Sequence, residues 1–500
     1  MICVTIGRGR HKSLLAEWKE AAAAGAELVE LRIDILRSEP NLKRLLAERP
    51  TPAVITIRRG ADGGLWRGDE EKRLRLLREA IVLGVDYVDL EVDVAGSIPR
   101  FGKTKRIVSL HNFRKTPVDA ELTKIVEEIR GKQADVVKVA VNAQSLADAS
   151  RVLAMVAREN ATGPTIGIGM GQVGFFTRIL GAKYGAPFTF SGFNPDRTFA
   201  PGMPRFQELR RDYGYDRIGP ETAVFAVIGD PVGQSLGPAI HNAAFRHLGI
   251  DAVYLPILVP AGRLKESLTE LAWLDIRGMS VTIPHKEAIV PLLTLADGAV
   301  ERTGSCNTVV VKDGKMEGHN TDYHAAMKSL EDALGGVLEH DASPLINKQV
   351  LILGAGGVAR SIAVGAVRRG AGVTICNRND ERAAKLAEQV GCRSVSWTMR
   401  AGTLCDILVN GTPVGMHPHV DDTPVPPAAF RPGMLVFDTV YHPENTMFLK
   451  MARERDCKTI SGVDMFIEQA AAQFRMFTGQ EPPVEVMREV VRRKLGAARE

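Results

Sequence analysis

A lysine in the middle of an apolar run is the side chain with the clearest capacity for chemistry. The run covers residues 135–141, with the sequence DVVKVAV, and a short β-branched run of this kind predicts a strand that is buried on both faces. A buried ammonium group is costly unless it is paired or loses its proton. Lys138 is therefore either a structural lysine with a partner or a reactive amine that forms an imine with a ketone.

Other polar side chains stand at the ends of neighbouring apolar runs. They are Glu30, Arg32, Arg58, Glu91, Asp93, His111 and, after the seventh run, Arg178. In a barrel of parallel strands these ends converge on one mouth, where barrel enzymes place their active sites. His111 is suited to acid/base catalysis near neutral pH. The arginines predict an anionic substrate that is held by a bidentate contact.

Apolar strand patterns alternate with helical patterns over the first 200 residues. The predicted strands are 2–6, 28–33, 53–57, 86–91, 106–110, 135–141, 164–169 and 187–190, and the helical patterns include 14–24, 73–83, 122–130 and 145–158. The number and length of these βα units favour a (β/α)8 TIM barrel within an α/β protein. A doubly wound open sheet is the alternative that the pattern leaves open.

Residues 1–204 resemble the type I 3-dehydroquinate dehydratases. The matching segments are ELRID (30–34), TIR (56–58), SLHNF (109–113), VKVA (137–140), MGQVG (170–174) with Arg178, and APG (200–202). The resemblance implies that Lys138 forms a Schiff base with 3-dehydroquinate and that His111 is the general acid/base. It also implies a set of substrate-binding residues, which comprises Glu30, Arg32, Arg58, Asp62, Arg178, Phe199 and Met203.

Three members of that set depart from the family pattern. Asp62 stands where the family usually has a glutamate, and Phe199 and Met203 flank the APG segment where a hydroxyl residue and a glutamine are common. The lysine and the histidine are retained. A weak dehydratase, or an inactive barrel that serves as a scaffold, stays open as an alternative.

A glycine-rich turn follows the apolar run 350–353 and opens a helical pattern. The turn and the start of that pattern contain Gly354, Ala355, Gly356, Gly357, Val358 and Ala359, in a GxGxxA arrangement. Backbone N–H groups in this setting hold a pyrophosphate. The next predicted strand, 373–376, leads into Asn377 and Arg378, with Arg382 beyond. Arginines there favour the 2′-phosphate of NADP over the ribose hydroxyls of NAD.

Three polar clusters that precede this turn in the sequence predict a substrate site. The clusters contain Ser235 and Gly237, Thr282 and Lys286, and Asn307 and Asp322. A lysine and an aspartate among amide and hydroxyl groups suit a polyhydroxylated acid. Lys286 paired with Asp322 can pass a proton to the substrate oxygen while a hydride arrives.

Residues 222–490 resemble the shikimate dehydrogenases. The matches run from the GxPxxxS and SVTxPxK patterns through NTD, GAGGxAR and NRxxxRA to the segments 410–416, 438–443 and 462–465. The resemblance implies Lys286 and Asp322 as the catalytic pair, and a substrate set of Ser235, Gly237, Thr282, Asn307, Tyr441 and Gln469. It places Met416 and Gly462 near the nicotinamide. Because Gly237 replaces the second serine of Ser-x-Ser, quinate dehydrogenase activity stays open, whereas Thr282 favours shikimate.

The two halves together are similar to the plant-type bifunctional 3-dehydroquinate dehydratase/shikimate dehydrogenases. The predicted domains are a barrel at 1–204, a linker at 205–221, a substrate-binding lobe at 222–335 and 464–490, and an NADP-binding Rossmann domain at 340–463. The resemblance implies that 3-dehydroquinate is dehydrated to 3-dehydroshikimate, which is then reduced to shikimate. A non-catalytic metabolite sensor on the same folds would not need all four of Lys138, His111, Lys286 and Asp322.

The composition bears on the partners and the cellular compartment of the protein. The net charge of +5 arises from 64 basic and 59 acidic residues without long basic blocks, so neither nucleic acid nor membrane is predicted as a partner. The six cysteines form no CxxC pair and are interpreted as reduced thiols. With no leader pattern and no apolar run of membrane length, the sequence predicts a cytoplasmic enzyme.

Overall fold

The computed structural model describes residues 1–336 and 343–497. Residues 340–342 of the predicted NADP domain lie outside the described residues. Contacts divide the chain into two compact units, Met1–Phe225 with Gly249–Ile276, and Ala226–Leu248 with Arg277–Glu500. In the part of the chain that the structure describes, no helix is both long enough and apolar enough to cross a membrane.

Eight parallel strands form a near-closed barrel in the first unit. They are β1 (Ile2–Ile6), β2 (Leu28–Arg32), β3 (Ala53–Thr56), β4 (Tyr87–Glu91), β5 (Lys105–Asn112), β6 (Val136–Asn142), β7 (Thr165–Met170) and β8 (Thr189–Gly192). The strands pair in the order β7-β6-β5-β4-β3-β2-β1-β8. Their β-branched and apolar residues are buried on both faces, as expected for a parallel barrel. The predicted TIM barrel is confirmed, and the open sheet is not observed.

Six helices lie between barrel strands, and a seventh follows the last strand, β8. They are α1 (His11–Ala23), α2 (Leu42–Ala47), α3 (Glu70–Val82), α4 (Asp119–Gly131), α5 (Leu146–Glu159), α6 (Thr177–Leu180) and α7 (Phe206–Arg211). Side chains fix several helix starts: the Asp69 carboxylate accepts from the Lys72 N–H at α3, and Ser145 forms a capping box with Asp148 at α5. Between β4 and β5 only a 3₁₀ turn, Ala95–Ser97, is present.

The segment predicted as a linker, 205–221, contains regular structure. It holds α7 and a 3₁₀ turn at Tyr215–Arg217. Phe206, Leu209 and Tyr215 are buried, and Gly192 at the end of β8 forms a β-bridge with Arg205. The segment is therefore folded and belongs by its contacts to the first unit.

The middle of the chain supplies a mixed sheet and its helices. The elements are β9 (Ala223–Gly229), α8 (Gly237–Leu248), β10 (Ala252–Leu258), α9 (Leu264–Leu271), β11 (Ile276–Val281), β12 (Leu295–Ala296), α10 (Gly298–Thr303), β13 (Thr308–Lys312), β14 (Lys315–His319) and α11 (Thr321–Ala333). In the second unit the strands run in the order β9-β11-β13-β14-β12. The hairpin of β13 and β14 is antiparallel, and β10 and α9 cluster with the first unit.

A six-stranded parallel sheet follows in the chain. Its elements are β15 (Gln349–Leu353), α12 (Gly357–Arg368), β16 (Gly372–Asn377), α13 (Asp380–Val390), β17 (Arg393–Ser396), β18 (Ile407–Asn410), β19 (Leu435–Asp438), α14 (Met447–Arg453) and β20 (Lys458–Ile460), and the chain closes with α15 (Gly462–Thr478) and α16 (Val484–Ala497). The order β17-β16-β15-β18-β19-β20 is that of a doubly wound Rossmann sheet. Its strand order reverses beside β15, which places a ligand crevice at the carboxyl ends of β15 and β18.

Candidate active sites

The buried lysine of β6 has a carboxylate partner. Lys138 Nζ lies 2.8 Å from Asp89 Oδ2 on β4 and 3.9 Å from the ring centroid of Phe190. Asp89 also forms an ion pair with Arg58 at 2.9 Å and accepts a hydrogen bond from Ser109 Oγ at 2.6 Å. Lys138 is thus held in place by a buried network of charged groups.

Asp89 was not among the predicted site residues. Burial opposes its ionisation, but the Arg58 guanidinium and the Lys138 ammonium outweigh burial and hold the pKa of Asp89 far below its ordinary value. The signal that could have found it is the one that found Lys138: a charged residue inside an apolar run, here YVDLE at 87–91.

His111 on β5 is a neutral imidazole in this site. Burial, followed by the charges of Arg58 and Lys138, lowers the pKa of His111 well below its ordinary value rather than leaving it near neutrality. The ring stacks on Phe113 with centroids 6.3 Å apart. Nδ1 is buried and has no hydrogen-bond partner among the described residues, so the ring is available for a proton transfer with a bound molecule.

Arg178 is the guanidinium that is left for a ligand. It is buried on α6, and its Nε and Nη1 atoms have no hydrogen-bond partner among the described residues; Nη2 donates to the carbonyl of Pro201 at 3.4 Å. Burial lowers the pKa of Arg178 to about 10. By contrast, Arg32 is bound bidentately by Asp34 at 2.9 and 2.8 Å. A buried cation without a counter-ion is costly, and a ligand carboxylate would supply one.

One pocket of the barrel is lined by the lysine, the histidine and the substrate-binding set that the dehydratase resemblance implied, but not by Glu91 or Asp93. It encloses about 510 Å³ of space, its open mouth included. The lining residues are Glu30, Arg32, Thr56, Arg58, Asp62, Gly63, His111, Phe113, Lys138, Ala140, Ile168, Met170, Arg178, Phe190, Phe199, Ala200 and Met203. Phe113, Met170 and Phe190 in this lining were not predicted from the sequence, because apolar residues near a strand end look the same whether they face a pocket or a core.

The three unusual positions form part of this wall. The Asp62 carboxylate accepts from Arg59 Nε at 2.7 Å. Phe199 lies under the Arg32 guanidinium, which is 5.7 Å from the ring centroid. Met203 packs against the buried barrel cluster. An aromatic ring and a thioether thus form one side of the pocket, opposite in character to the charged groups around Lys138.

In the second unit, the two residues of the predicted catalytic pair form an ion pair. Lys286 Nζ, in the segment after β11, lies 2.5 Å from Asp322 Oδ2 in the first turn of α11. Burial, and then the charge of Asp322, raises the pKa of Tyr441. Tyr441 stacks on Phe466, with ring centroids 4.4 Å apart.

Two predicted amides meet beside this pair. Asn307 Nδ2 donates to Thr321 Oγ1 at 2.9 Å and to Gln469 Oε1 at 3.4 Å, and Asn307 Oδ1 accepts from the Thr321 N–H at 2.8 Å. Thr321 directly precedes Asp322 at the start of α11. The network therefore fixes Asn307 and Gln469 next to the carboxylate of the catalytic pair.

The remaining substrate positions lie at the starts and ends of neighbouring elements. The Gly237 N–H, at the start of α8, donates to Ser235 Oγ at 3.2 Å. Thr282 directly follows β11 and lies four residues before Lys286. A Cβ atom at Gly229 would lie 2.3 Å from Thr282 Cγ2, so the glycine at the end of β9 permits the close approach of Thr282.

The glycine turn after β15 forms an open cradle at the start of α12. Gly354 has φ +113°, and a Cβ atom there would lie 2.7 Å from the carbonyl oxygen of Gly411. Gly356 caps α12, and nothing lies within 4 Å of the position of its Cβ atom. A Cβ atom at Gly357 would lie 3.2 Å from Lys286 Cδ. The N-terminus of α12 and its open space fit a pyrophosphate close to the catalytic lysine.

The predicted arginines lie at the next strand end. Arg382 Nε donates to the carbonyl of Ala355 at 3.1 Å, which brings α13 to the glycine turn. Asn379 Oδ1 accepts from the Arg382 N–H as the cap of α13. Asn377 lies at the end of β16, followed by Arg378. Met416 is 43% exposed, and a Cβ atom at Gly462 would lie 2.4 Å from the carbonyl oxygen of Val440.

Family models cover both halves of the chain. Residues 2–220 match the model of type I 3-dehydroquinase, and residues 227–309 match the substrate-binding domain of shikimate dehydrogenase. Residues 337–410 match shikimate/quinate 5-dehydrogenase, and residues 462–492 match the C-terminal domain of shikimate 5′-dehydrogenase.

One curated relative spans both halves. It is the bifunctional 3-dehydroquinate dehydratase/shikimate dehydrogenase, chloroplastic, of Arabidopsis thaliana, which is 36% identical over 510 residues covering 98% of this chain and 84% of that protein. The chain belongs to this bifunctional dehydratase/dehydrogenase family. The barrel half of the chain accordingly corresponds to the dehydratase of this family, and the second half to its dehydrogenase.

Single-function relatives match the dehydrogenase half of this family member. A shikimate dehydrogenase (NADP(+)) of Moorella thermoacetica is 41% identical over 293 residues, which cover 56% of this chain and 97% of that protein. A crystal structure of a shikimate dehydrogenase in complex with NADP+ is 34% identical with a TM-score of 0.51, covering 55% of this chain and 96% of that chain. Both extend over nearly their whole length, so the second half carries a complete dehydrogenase fold.

Proposed function

We propose that this chain carries out two consecutive steps of the shikimate pathway at two separate sites. The barrel dehydrates 3-dehydroquinate to 3-dehydroshikimate, and the second unit reduces 3-dehydroshikimate to shikimate with NADPH. The observation that carries the first step is the barrel pocket, which combines a buried lysine with a buried guanidinium that has no carboxylate partner among the described residues. A ketone and a carboxylate on one small molecule satisfy both groups.

In the barrel, Arg178 binds the substrate carboxylate and places the ketone at Lys138. After losing a proton, the amine of Lys138 attacks the carbonyl carbon, and loss of water from the adduct gives a protonated imine. The imine acidifies the adjacent C–H, and neutral His111 takes that proton. The hydroxyl group on the next carbon then departs with the proton that His111 returns, so one water molecule is lost from the substrate. Hydrolysis of the imine releases the product and restores Lys138.

In the second unit, Lys286 acts as the acid. Bound NADPH supplies a hydride for the carbonyl carbon of 3-dehydroshikimate. Lys286 donates the proton that the carbonyl oxygen requires, and Asp322, 2.5 Å away, orients the ammonium group. Asn307, Gln469 and Tyr441 hold the substrate around this pair.

The cofactor is NADP in this proposal. The residues that would hold it are the glycine turn from Gly354 to Ala359 for the pyrophosphate, and Asn377, Arg378 and Arg382 for the 2′-phosphate. The open space at Gly356 supports the first contact. The position of Arg382 against the carbonyl of Ala355 supports the second, because it brings a guanidinium to the turn.

A steady-state assay of each half-reaction tests the proposal. Purified chain with 3-dehydroquinate and NADPH should form shikimate while NADPH is consumed. Lys138→Ala should abolish this conversion yet keep NADPH oxidation with added 3-dehydroshikimate, and borohydride with 3-dehydroquinate should trap a covalent adduct on Lys138 of the wild type. Dehydration by the Lys138→Ala variant would refute the imine mechanism. A wild type that consumes no NADPH with 3-dehydroshikimate would refute the dehydrogenase assignment.

The same assay decides between shikimate and quinate. Gly237 offers no side-chain hydroxyl, and its N–H is bonded to Ser235 Oγ. Thr282 is retained beside Lys286, so shikimate should be oxidised faster than quinate. A higher rate with quinate would assign the dehydrogenase half to quinate instead.

We also propose a cytoplasmic location and small molecules as the partners. All six cysteines carry free thiols, and five of them are buried, which suits a reducing compartment. The net charge of +5 does not favour nucleic acid or a membrane surface. Fractionation of cells that produce the native chain should recover both activities with the cytoplasmic markers, and recovery with membranes or organelles would refute the location.

A further inference from the structure

A fully buried carboxylate that the proposed mechanism does not use ends β19. The side chain of Asp438 is 0% exposed. Its carboxylate accepts three hydrogen bonds, from Asn410 Nδ2 at 3.0 Å, from the Val440 N–H at 3.0 Å and from Thr446 Oγ1 at 2.6 Å. Burial raises the pKa of Asp438 to about 6, against the effect of these three donors. Burying a carboxylate that has only neutral hydrogen-bond donors costs free energy, so the three contacts of Asp438 indicate a role for this side chain.

Its neighbour across the ladder, Asn410, extends the hydrogen bonds into two loops. Asn410 ends β18 in register with Asp438. Its Nδ2 also donates to the carbonyl of Val414 at 3.1 Å, and its Oδ1 accepts from Thr412 Oγ1 at 2.6 Å. Its own carbonyl accepts from the Thr439 N–H at 3.0 Å and from Thr439 Oγ1 at 2.9 Å. The two side chains therefore tie residues 411–416 to residues 439–446.

Each of these loops reaches the dehydrogenase site. The first begins with Gly411, whose carbonyl packs against Gly354 of the glycine turn so closely that no Cβ atom fits there, and it ends at Met416. The second carries Tyr441, whose ring stacks on Phe466 with centroids 4.4 Å apart, and the carbonyl of Phe466 accepts from Gln469 Nε2 at 2.9 Å. The carbonyl of Val440, one residue earlier, packs against Gly462 at the start of α15. Neither Asn410 nor Asp438 contacts the catalytic pair directly.

We propose that Asn410 and Asp438 are a positioning pair that fixes both loops, and that this pair sets the affinity of the dehydrogenase site for NADPH and 3-dehydroshikimate. The proposal rests on the proposed dehydrogenase function of the second unit. The carboxylate fixes the second loop through Val440 and Thr446, and Asn410 fixes the first loop through Thr412 and Val414. Loss of the carboxylate frees Tyr441 to move from Phe466 and frees Gly411 to move from the cofactor turn.

Two substitutions at Asp438 test the proposal within the full chain. Asp438→Ala removes all three acceptor contacts, so KM for NADPH and KM for 3-dehydroshikimate should each rise at least tenfold. Asp438→Asn keeps the shape and one acceptor oxygen for Asn410 and Val440, so both KM values should stay within threefold of the wild type. The dehydratase activity of the same chain should be unchanged in both variants, which controls for chain concentration. A merely structural loss would lower the fraction of active enzyme, and with it kcat, and leave both KM values unchanged.

Asp406 offers a matched control. Its carboxylate accepts a hydrogen bond from the Gln349 N–H at 2.7 Å, so it also ties β15 to the chain before β18. This contact lies at the amino ends of the two strands, whereas Asn410 and Asp438 lie at carboxyl ends. Asp406→Ala should leave both KM values at wild-type level. Unchanged KM values in Asp438→Ala, or equal increases in Asp406→Ala, would overturn the proposal.

A milder variant decides the matter if Asp438→Ala does not fold. Thr412→Val removes only the hydroxyl that donates to Asn410 Oδ1, and KM for NADPH should then rise about threefold; an unchanged KM would overturn the proposal. The wild type separates this outcome from failure of the proposed function. A wild type that does not reduce 3-dehydroshikimate refutes the function, whereas an active wild type with an unaffected loop variant refutes only the positioning pair.

Discussion

At the scale of single residues, the proposed dehydratase site combines a network of paired buried charges with a buried guanidinium that is left for a ligand. Asp89 lies between Lys138 and Arg58 and neutralises part of their charge, whereas Arg178 has no counter-ion among the described residues. The sequence identified Lys138 as an ion in a strand but did not identify its charge partner. The true partner lies 49 residues away on a strand that β5 separates from β6. A contact between side chains on β4 and β6 inside a barrel depends on how the sheet curves and closes. A local pattern in one sequence does not reveal that curvature.

Asp89→Asn should destabilise the protein and impair the dehydratase. The amide can still accept from Ser109, but the two buried cations lose their shared negative charge, so the free energy of unfolding at pH 7 should fall by about 3 kcal/mol. Because the pKa of Asp89 is depressed in the folded state, its stabilising effect is present above about pH 4 and is lost as the pH falls further. Urea unfolding of both proteins between pH 3 and 7 measures this difference, which should shrink at the acidic end.

An exposed aspartate on the same barrel serves as the control for that comparison. Asp135 pairs with Arg100 at 2.8 Å, and both side chains are partly exposed. Asp135→Asn should change the free energy of unfolding by less than about 1 kcal/mol. Equal losses for the two substitutions would contradict the argument that burial makes the Asp89 network strong.

At the scale of elements, the apolar patterns predicted every barrel strand within two residues of its observed bounds. Parallel strands that are buried on both faces produce short, nearly continuous apolar runs, and these runs are legible in one sequence. The short elements were less legible. Helix α7 has six residues, too few to show a helical period, and the unit after β4 has a 3₁₀ turn in place of a helix. Neither feature has a periodic signal.

Two glycines of the turn after β15 should respond differently to alanine. Gly354→Ala forces a Cβ atom to within 2.7 Å of the backbone oxygen of Gly411 at a positive φ, so it should lower the free energy of unfolding by about 2 kcal/mol and raise the Kd for NADPH. Gly356→Ala places its Cβ atom in open space with an extended φ of −89°, so stability should be unchanged. The methyl group would still occupy the cradle, and the Kd for NADPH should rise at least tenfold.

Fluorescence titration with NADPH and thermal unfolding of the two glycine variants measure these effects. The dehydratase activity of each variant should match the wild type, since the barrel lies in the other unit. Tight NADPH binding by Gly356→Ala would contradict the assignment of the pyrophosphate to the start of α12.

At the scale of the whole molecule, the two proposed sites lie in different compact units of one chain. The dehydratase residues all line the barrel pocket of the first unit, and Lys286 and Asp322 lie in the second. The order of motifs was enough to predict both folds, because each half has its own ordered set of segments. A single sequence has no comparable signal for how contacts divide the chain, and β10 and α9 cluster with the barrel rather than with the sheet that follows them in sequence.

We expect 3-dehydroshikimate to pass between the sites through solvent. The barrel pocket opens to solvent, and a small charged product gains from a shared chain only if the two sites are placed for direct transfer. Lys138→Ala and Lys286→Ala should each fail to convert 3-dehydroquinate to shikimate, but an equimolar mixture should restore the conversion after a lag while 3-dehydroshikimate accumulates. The wild type, at the same concentration of each intact site, should show the same lag and the same final rate of NADPH consumption. A wild type without a lag, or one that stays faster than the mixture, would show that the intermediate is transferred within the chain.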